Sequence, residues 1–148
     1  MCYSSITIAS YFIEKSGGRK TPMQLNKLTY IAHGWYLAIK DSPLIVDEVQ
    51  AWKYGPMIPV LYNVFKAYKN ECVPYKPIEE TKYISPDDKV LLDKILDVYG
   101  KCEGTDLSAL THQDGTPWDT IWKKSGEFSV IPDKLIKDHY IEKAKNNV

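Results

Sequence analysis

Residues 21–59 read TPMQLNKLTYIAHGWYLAIKDSPLIVDEVQAWKYGPMIP, and the reading of this stretch decides the fold. Thr21 can cap a helix, and Pro22 suits the first helical position, where no amide donor is needed. Gln24 stands three residues after the cap, as a capping box requires. Helix formers then run to Lys40, with Leu25, Leu28, Ala32, Trp35 and Ile39 at helical spacing. That periodicity predicts a long helix with one apolar stripe. Gln24, Lys27 and Tyr30 fall on its less apolar side and are expected as a polar strip lining a groove. Asp41-Ser42-Pro43 turns the chain, Val49–Trp52 reads as extended, and Gly55-Pro56 reads as a turn.

On the N-terminal side, a helix is expected from about Ser5 to Ser16, with Ile6, Ala9, Phe12 and Ile13 inward and Gly17-Gly18 as its stop. On the C-terminal side, Pro59 opens a helix to about Tyr68. Val60, Val64, Ala67 and Tyr68 lie near one side, and Leu61, Tyr62 and Phe65 widen the apolar arc. Residues 70–86 form a proline-stiffened connector with Lys82–Ile84 read as extended. Ser85-Pro86-Asp87-Asp88 starts a fourth helix that ends at Gly100, with Val90, Leu91, Ile95, Leu96 and Val98 as its apolar set. Thr105 or Asp106 caps a short helix to Thr111. His112–Thr116 turns, and Pro117 starts a helix to about Lys124. Phe128–Ile131 reads as a short strand pairing with 82–84 or 49–52. A last helix runs from about Pro132 to Lys145 on Leu135, Ile136, Tyr140 and Ile141, and 145–148 should fray. The fold class is mainly α, six or seven helices with a minor β element, in one domain over 1–148.

Composition narrows the function. Lysine plus arginine number 19 and aspartate plus glutamate 19, so the formal net charge is zero. That balance lacks the electrostatic footprint of a nucleic-acid binder. Only Arg19 among the basic residues is arginine, the residue favoured for bidentate reading of bases and phosphates. Cys2, Cys72 and Cys102 are far apart and odd in number, which argues against a disulfide framework and for a reducing, cytoplasmic setting. The N-terminus reads as an amphipathic helix rather than a leader, and no apolar run reaches the length of a membrane span. The 11 Tyr and 4 Trp outnumber 3 Phe, and side chains with an apolar body and a polar tip suit half-buried surfaces and interfaces.

LNKLTYIAHGWYLA at 25–38, EVQAWKYGPMIPVLY at 48–62 and LSALTHQDGTPWDTIW at 107–122 resemble, in order, the Panacea domain of SocA-like antitoxins and phage-associated GepA-like proteins. The resemblance implies a compact helical domain and an antitoxin that neutralises a toxin protein by binding it. It also implies that the chain can deliver that toxin to a cellular protease, and that a phage or prophage origin is plausible. No appended DNA-binding helix-turn-helix is recognisable, so operator binding is not expected.

A partner surface is expected at Gln24, Lys27, Tyr30, Lys53, Tyr54 and Trp122, since Trp and Tyr dominate binding hot spots. Trp52 and Tyr54, two apart, would share a face and pack on the long helix. Trp118 and Trp122, four apart, are neighbours on one helix face, with Trp118 in the core. The competing reading is a small phage-associated hydrolase using His112 and Asp114, with Asp106 and Asp119 nearby. No nucleophile, phosphate loop or HExxH-like ligand set converges with them, so no catalytic residue, metal or cofactor is assigned. Monomer and homodimer both fit.

Overall fold

The second helix is the hub. The computed structural model describes residues 2–146, so Asn147 and Val148 of the expected frayed tail lie outside the described residues. Seven α-helices and one hairpin occur among them: α1 Ser5–Ser16, α2 Pro22–Lys40, β1 Gln50–Trp52, β2 Gly55–Met57, α3 Pro59–Phe65, α4 Pro86–Tyr99, α5 Gly104–Thr111, α6 Pro117–Ser125 and α7 Asp133–Asn146. The mainly α reading stands. α2 starts as its sequence dictates: the Thr21 hydroxyl accepts from the Gln24 amide, and the Gln24 side chain accepts from the Thr21 amide. It ends on Asp41 in the left-handed conformation.

α2 touches α1, α3, α4, α5, α7 and the hairpin, and packs most extensively against α7. Its middle is therefore buried all round. Every residue from Leu25 to Gly34 is buried, including Asn26, Lys27, Thr29 and His33. A helix enclosed by its neighbours has no solvated face. The expected single stripe is corrected accordingly: Lys27 and Tyr30 lie inside, and Ile39, near the end of the helix, is 60% exposed. Burying Leu25, Leu28 and Ile31 completely contributes about 1.5–3 kcal/mol each.

Tyrosine serves the interior more than expected. Tyr3, Tyr11, Tyr30, Tyr36 and Tyr140 are buried. Tyr3 and Tyr11 donate to Asp88 and Asp93 of α4, each at 2.6 Å, so the polar tips tie the N-terminal segment to that helix. His33 does the same for α7 and the 44–46 segment. Its Nδ1 accepts from the Ile45 amide at 3.5 Å, which leaves the proton on Nε2 to donate to Asp133 at 2.9 Å.

Several helix faces differ from expectation for one reason: α3 and α4 are each covered on one side only. In α3 the buried pair is Leu61 and Phe65, while Val60 and Val64 face outward. In α4 Leu92 and Ile95 are buried, while Val90 and Val98 are exposed. Lys66–Tyr68 and Glu79–Tyr83 are 3₁₀ turns, so Lys82 and Tyr83 are not extended. α5 begins at Gly104 after Glu103, which makes no side-chain cap, rather than at Thr105 or Asp106. Cys2 and Cys72 are exposed and Cys102 is half-buried, all as free thiols.

Gly34 lets α7 close on α2. A methyl group there would fall 2.2 Å from the Tyr140 ring. Helix propensity alone favours Ala by about 1 kcal/mol; overpacking opposes it by about 1–3 kcal/mol. The ring, also held edge-on by Trp35 at 5.2 Å, has little room to retreat. Gly34→Ala is expected to lower the unfolding free energy by up to about 2 kcal/mol in urea titration. An increase would mean that Tyr140 does not seat against this turn.

Candidate functional site

The hairpin is too short to hold itself. Its ladder joins Gln50 with Met57, Ala51 with Pro56 and Trp52 with Gly55, and Pro56 brings no amide to it. Side chains from surrounding helices complete the backbone's hydrogen bonds. From α2, the Asn26 carboxamide accepts from the Ile58 amide at 2.9 Å and donates to the Ile58 carbonyl at 3.1 Å. Also from α2, Lys27 Nζ donates to the Pro56 carbonyl at 2.5 Å. From α5, the Ser108 hydroxyl donates to the Tyr54 carbonyl. From α6, Trp118 Nε1 donates to the Trp52 carbonyl at 2.7 Å.

The open edge of β1 is covered as well. The Ala51 amide donates to Ser129 at 2.8 Å, and the Phe128 and Ile131 amides donate to Ala51 and Val49. Of the two pairings left open for 128–131, the one with 49–52 forms, as a Gln50–Val130 bridge rather than a strand. Gly55, at φ 118°, sits where a Cβ would meet Lys27 Nζ, His112 and Thr111 at 3.4–3.5 Å. A side chain would find room at that distance, but only glycine adopts that φ readily.

So clamped, the hairpin presents an aromatic face. Trp52 stands edge-on to Tyr62 at 5.0 Å and to Phe128 at 5.5 Å, with Nε1 donating to the Gln50 side chain. Tyr54 and Phe128 are exposed by 60% and 57%. Lys53 Nζ lies over the Tyr54 ring at 5.5 Å, and Lys66 Nζ over Tyr62 at 5.9 Å. Trp122 stacks on Trp118 at 5.1 Å and is half-buried. Exposed rings held by a rigid frame, with cations beside them, suit protein recognition.

The six expected contact residues therefore separate. Lys53, Tyr54 and Trp122 reach the surface. Gln24 is half-buried, engaged in the α2 cap and donating to the Cys102 carbonyl at 2.9 Å. Lys27 and Tyr30 are interior, 0% and 1% exposed, so they do not line a groove as a polar strip. Lys27 serves the hairpin backbone instead. Trp52 packs on Tyr62 and Phe128, not on α2, and Tyr54 occupies the turn. Asn26, Ser108, Tyr62 and Phe128 escaped the sequence reading. A lone amide between Leu25 and Leu28 was the available signal for Asn26, since a polar side chain in a buried run needs a partner.

His112 and Asp114 are not brought together. The His112 ring engages the Ser108 carbonyl and stands edge-on to Trp118, while Asp114 points to solvent. Asp119 accepts from the Gly115 amide at 2.9 Å and from Lys123, both of which lower its pKa. Among the described residues, no group of three or more His, Cys, Asp and Glu side chains gathers as a metal site would need. None of their helices is long and apolar enough to cross a membrane.

The family model for "Antitoxin SocA-like, Panacea domain" matches residues 25–119, the span from α2 through the hairpin into the first turn of α6. Antitoxin SocA of Caulobacter vibrioides (strain NA1000 / CB15N) is 30% identical over 150 residues, covering 90% of this chain and 80% of that protein. No solved structure matches.

Lys27 carries a measurable signature. Burial lowers its pKa from 10.5 to about 7, because no carboxylate offsets the lost hydration. Between those values the unfolded chain binds the extra proton, so stability rises with pH across the window. The slope is at most about 1.4 kcal/mol per pH unit. Urea titrations from just above pH 7 to just below the tyrosine range should show this rise, and Lys27→Met should flatten it. An identical slope in the variant would place the titration elsewhere.

Proposed function

This chain belongs to the SocA-like antitoxin, Panacea-domain family, and on that premise we propose that it neutralises a cognate toxin protein by binding it stoichiometrically through the hairpin face. The observation that carries this reading is the clamped hairpin, with Tyr54 exposed at its turn and Trp52 edge-on to exposed Tyr62 and Phe128. Rings fixed before contact lose little conformational freedom on binding, and the backbone beneath them has its hydrogen bonds made. Trp52, Tyr54, Tyr62 and Phe128 form the anchor; Lys53, Lys66 and Trp122 form the rim. The work is done in the cytoplasm, without a reactive centre or cofactor. Delivery of the bound toxin to a protease is a second use of the same grip: one face holds the toxin while another meets the protease.

The decisive experiment is co-expression in a bacterial host with each reading frame that neighbours this gene. One neighbour should be toxic alone and tolerated with this chain, and the two proteins should co-purify. Lys53→Ala combined with Tyr54→Ala removes two exposed side chains whose cation–π contact is with each other, so the thermal midpoint should hold. Binding should weaken by about 2 kcal/mol, roughly 30-fold in Kd, and rescue should fail. A falling toxin level that depends on a host protease marks the adaptor; a constant level of bound toxin marks sequestration. If no neighbour is both toxic alone and rescued, the antitoxin reading is wrong.

A further inference from the structure

A cleft of about 300 Å³ opens beside the hairpin, between the start of α2 and α3, lined chiefly by Met23, Asn26, Met57, Tyr62, Lys66 and Lys69. Its floor is mostly apolar, and the Asn26 amide is already committed to Ile58. Its charge is one-sided. Lys66 and Lys69 line it and no carboxylate does; the acid closest in sequence to a lining residue is Glu71, which follows Asn70.

Among the described residues, Lys66 and Lys69 are exposed and have no carboxylate partner. The N-terminal, positive end of α2 opens onto the same cleft at Pro22 and Met23. Lys69 holds a positive φ of 54°, a backbone position that glycine would take at less cost. Lys69 therefore stands at the cleft in a strained backbone conformation. Tyr62 belongs to both the cleft and the aromatic face, so the two surfaces are continuous.

We propose that this cleft takes an acidic, apolar segment of the partner protein, its carboxylates on Lys66 and Lys69 and its apolar side chains against Met23, Met57 and Tyr62. This rests on the partner-binding reading above and names the chemistry of what is bound. A nucleic acid is the poorer fit, because a phosphate backbone needs a longer run of cations than two lysines, and the floor offers it little. Alternating carboxylates and apolar side chains satisfy walls and rim together, and charge complementarity of this kind sets partner choice.

The test titrates the full chain with a fluorescein-labelled short peptide of alternating glutamate and leucine. Its neutral glutamine–leucine twin, a lysine–leucine peptide and a short DNA duplex are run alongside, all followed by anisotropy. The acidic peptide should bind at least about tenfold more tightly than the neutral twin, and weaken with salt. Lys66→Glu with Lys69→Glu should transfer the preference to the lysine–leucine peptide. Lys69→Gly should weaken acidic binding without lowering the thermal midpoint, which separates loss of the cation from loss of the fold. Equal binding of acidic and neutral peptides, no binding of either, or DNA bound as tightly as the acidic peptide overturns the proposal. So does a double variant that behaves as the wild type. Peptide binding without growth rescue in co-expression leaves the cleft standing and removes the antitoxin reading. Growth rescue that survives the double variant does the reverse.

Discussion

The structure depends on the hydrogen bonds that α2 sends into the hairpin. Asn26 and Lys27 satisfy the backbone of Ile58 and Pro56 from below. Three paired residues per strand do not make a stable sheet by themselves. Here the missing partners come from three helices and the 128–131 segment, so the hairpin is held as an insert within a helical frame. Removing one such partner strands a buried backbone group, which costs about 1–3 kcal/mol. Ser108 holds the turn at the Tyr54 carbonyl, and Trp118 holds the other strand at the Trp52 carbonyl.

This arrangement explains an otherwise costly feature. A lysine with no carboxylate beside it is buried in the most crowded helix of the chain. Desolvation pushes it toward the neutral amine, which still donates to the Pro56 carbonyl. The cost in stability falls on the interior, and the hydrogen bond the lysine makes holds the hairpin that carries the aromatic face. α7 completes the frame from the other side of α2, through Gly34 against Tyr140 and His33 against Asp133. Surface and core are therefore two sides of one helix.

The aromatic face and the lysine cleft share Tyr62, and both lie within or beside the family-matched span. Apolar burial supplies affinity, and charge selects among partners. The division accords with a chain whose overall charge is balanced but whose 49–70 segment has lysines and no acids.

Much of the helical frame was legible without coordinates, because caps, prolines and glycines act locally. Thr21-Pro22 with Gln24, Ser85-Pro86 and Thr116-Pro117 start helices where they should, and Gly17 and Gly126 stop them. The order of motifs placed the family for the same reason. What faces what was not legible. Lys27 looked like a surface residue because side-chain polarity cannot reveal that a backbone carbonyl, 29 positions along the chain, needs a donor. Val60, Val90 and Val98 looked like core because periodicity does not say how many sides of a helix its neighbours cover. The local chemistry of the residues determined where elements begin and end. Only the tertiary structure decided which polar groups turn inward, because that depends on unpaired backbone brought close by distant segments.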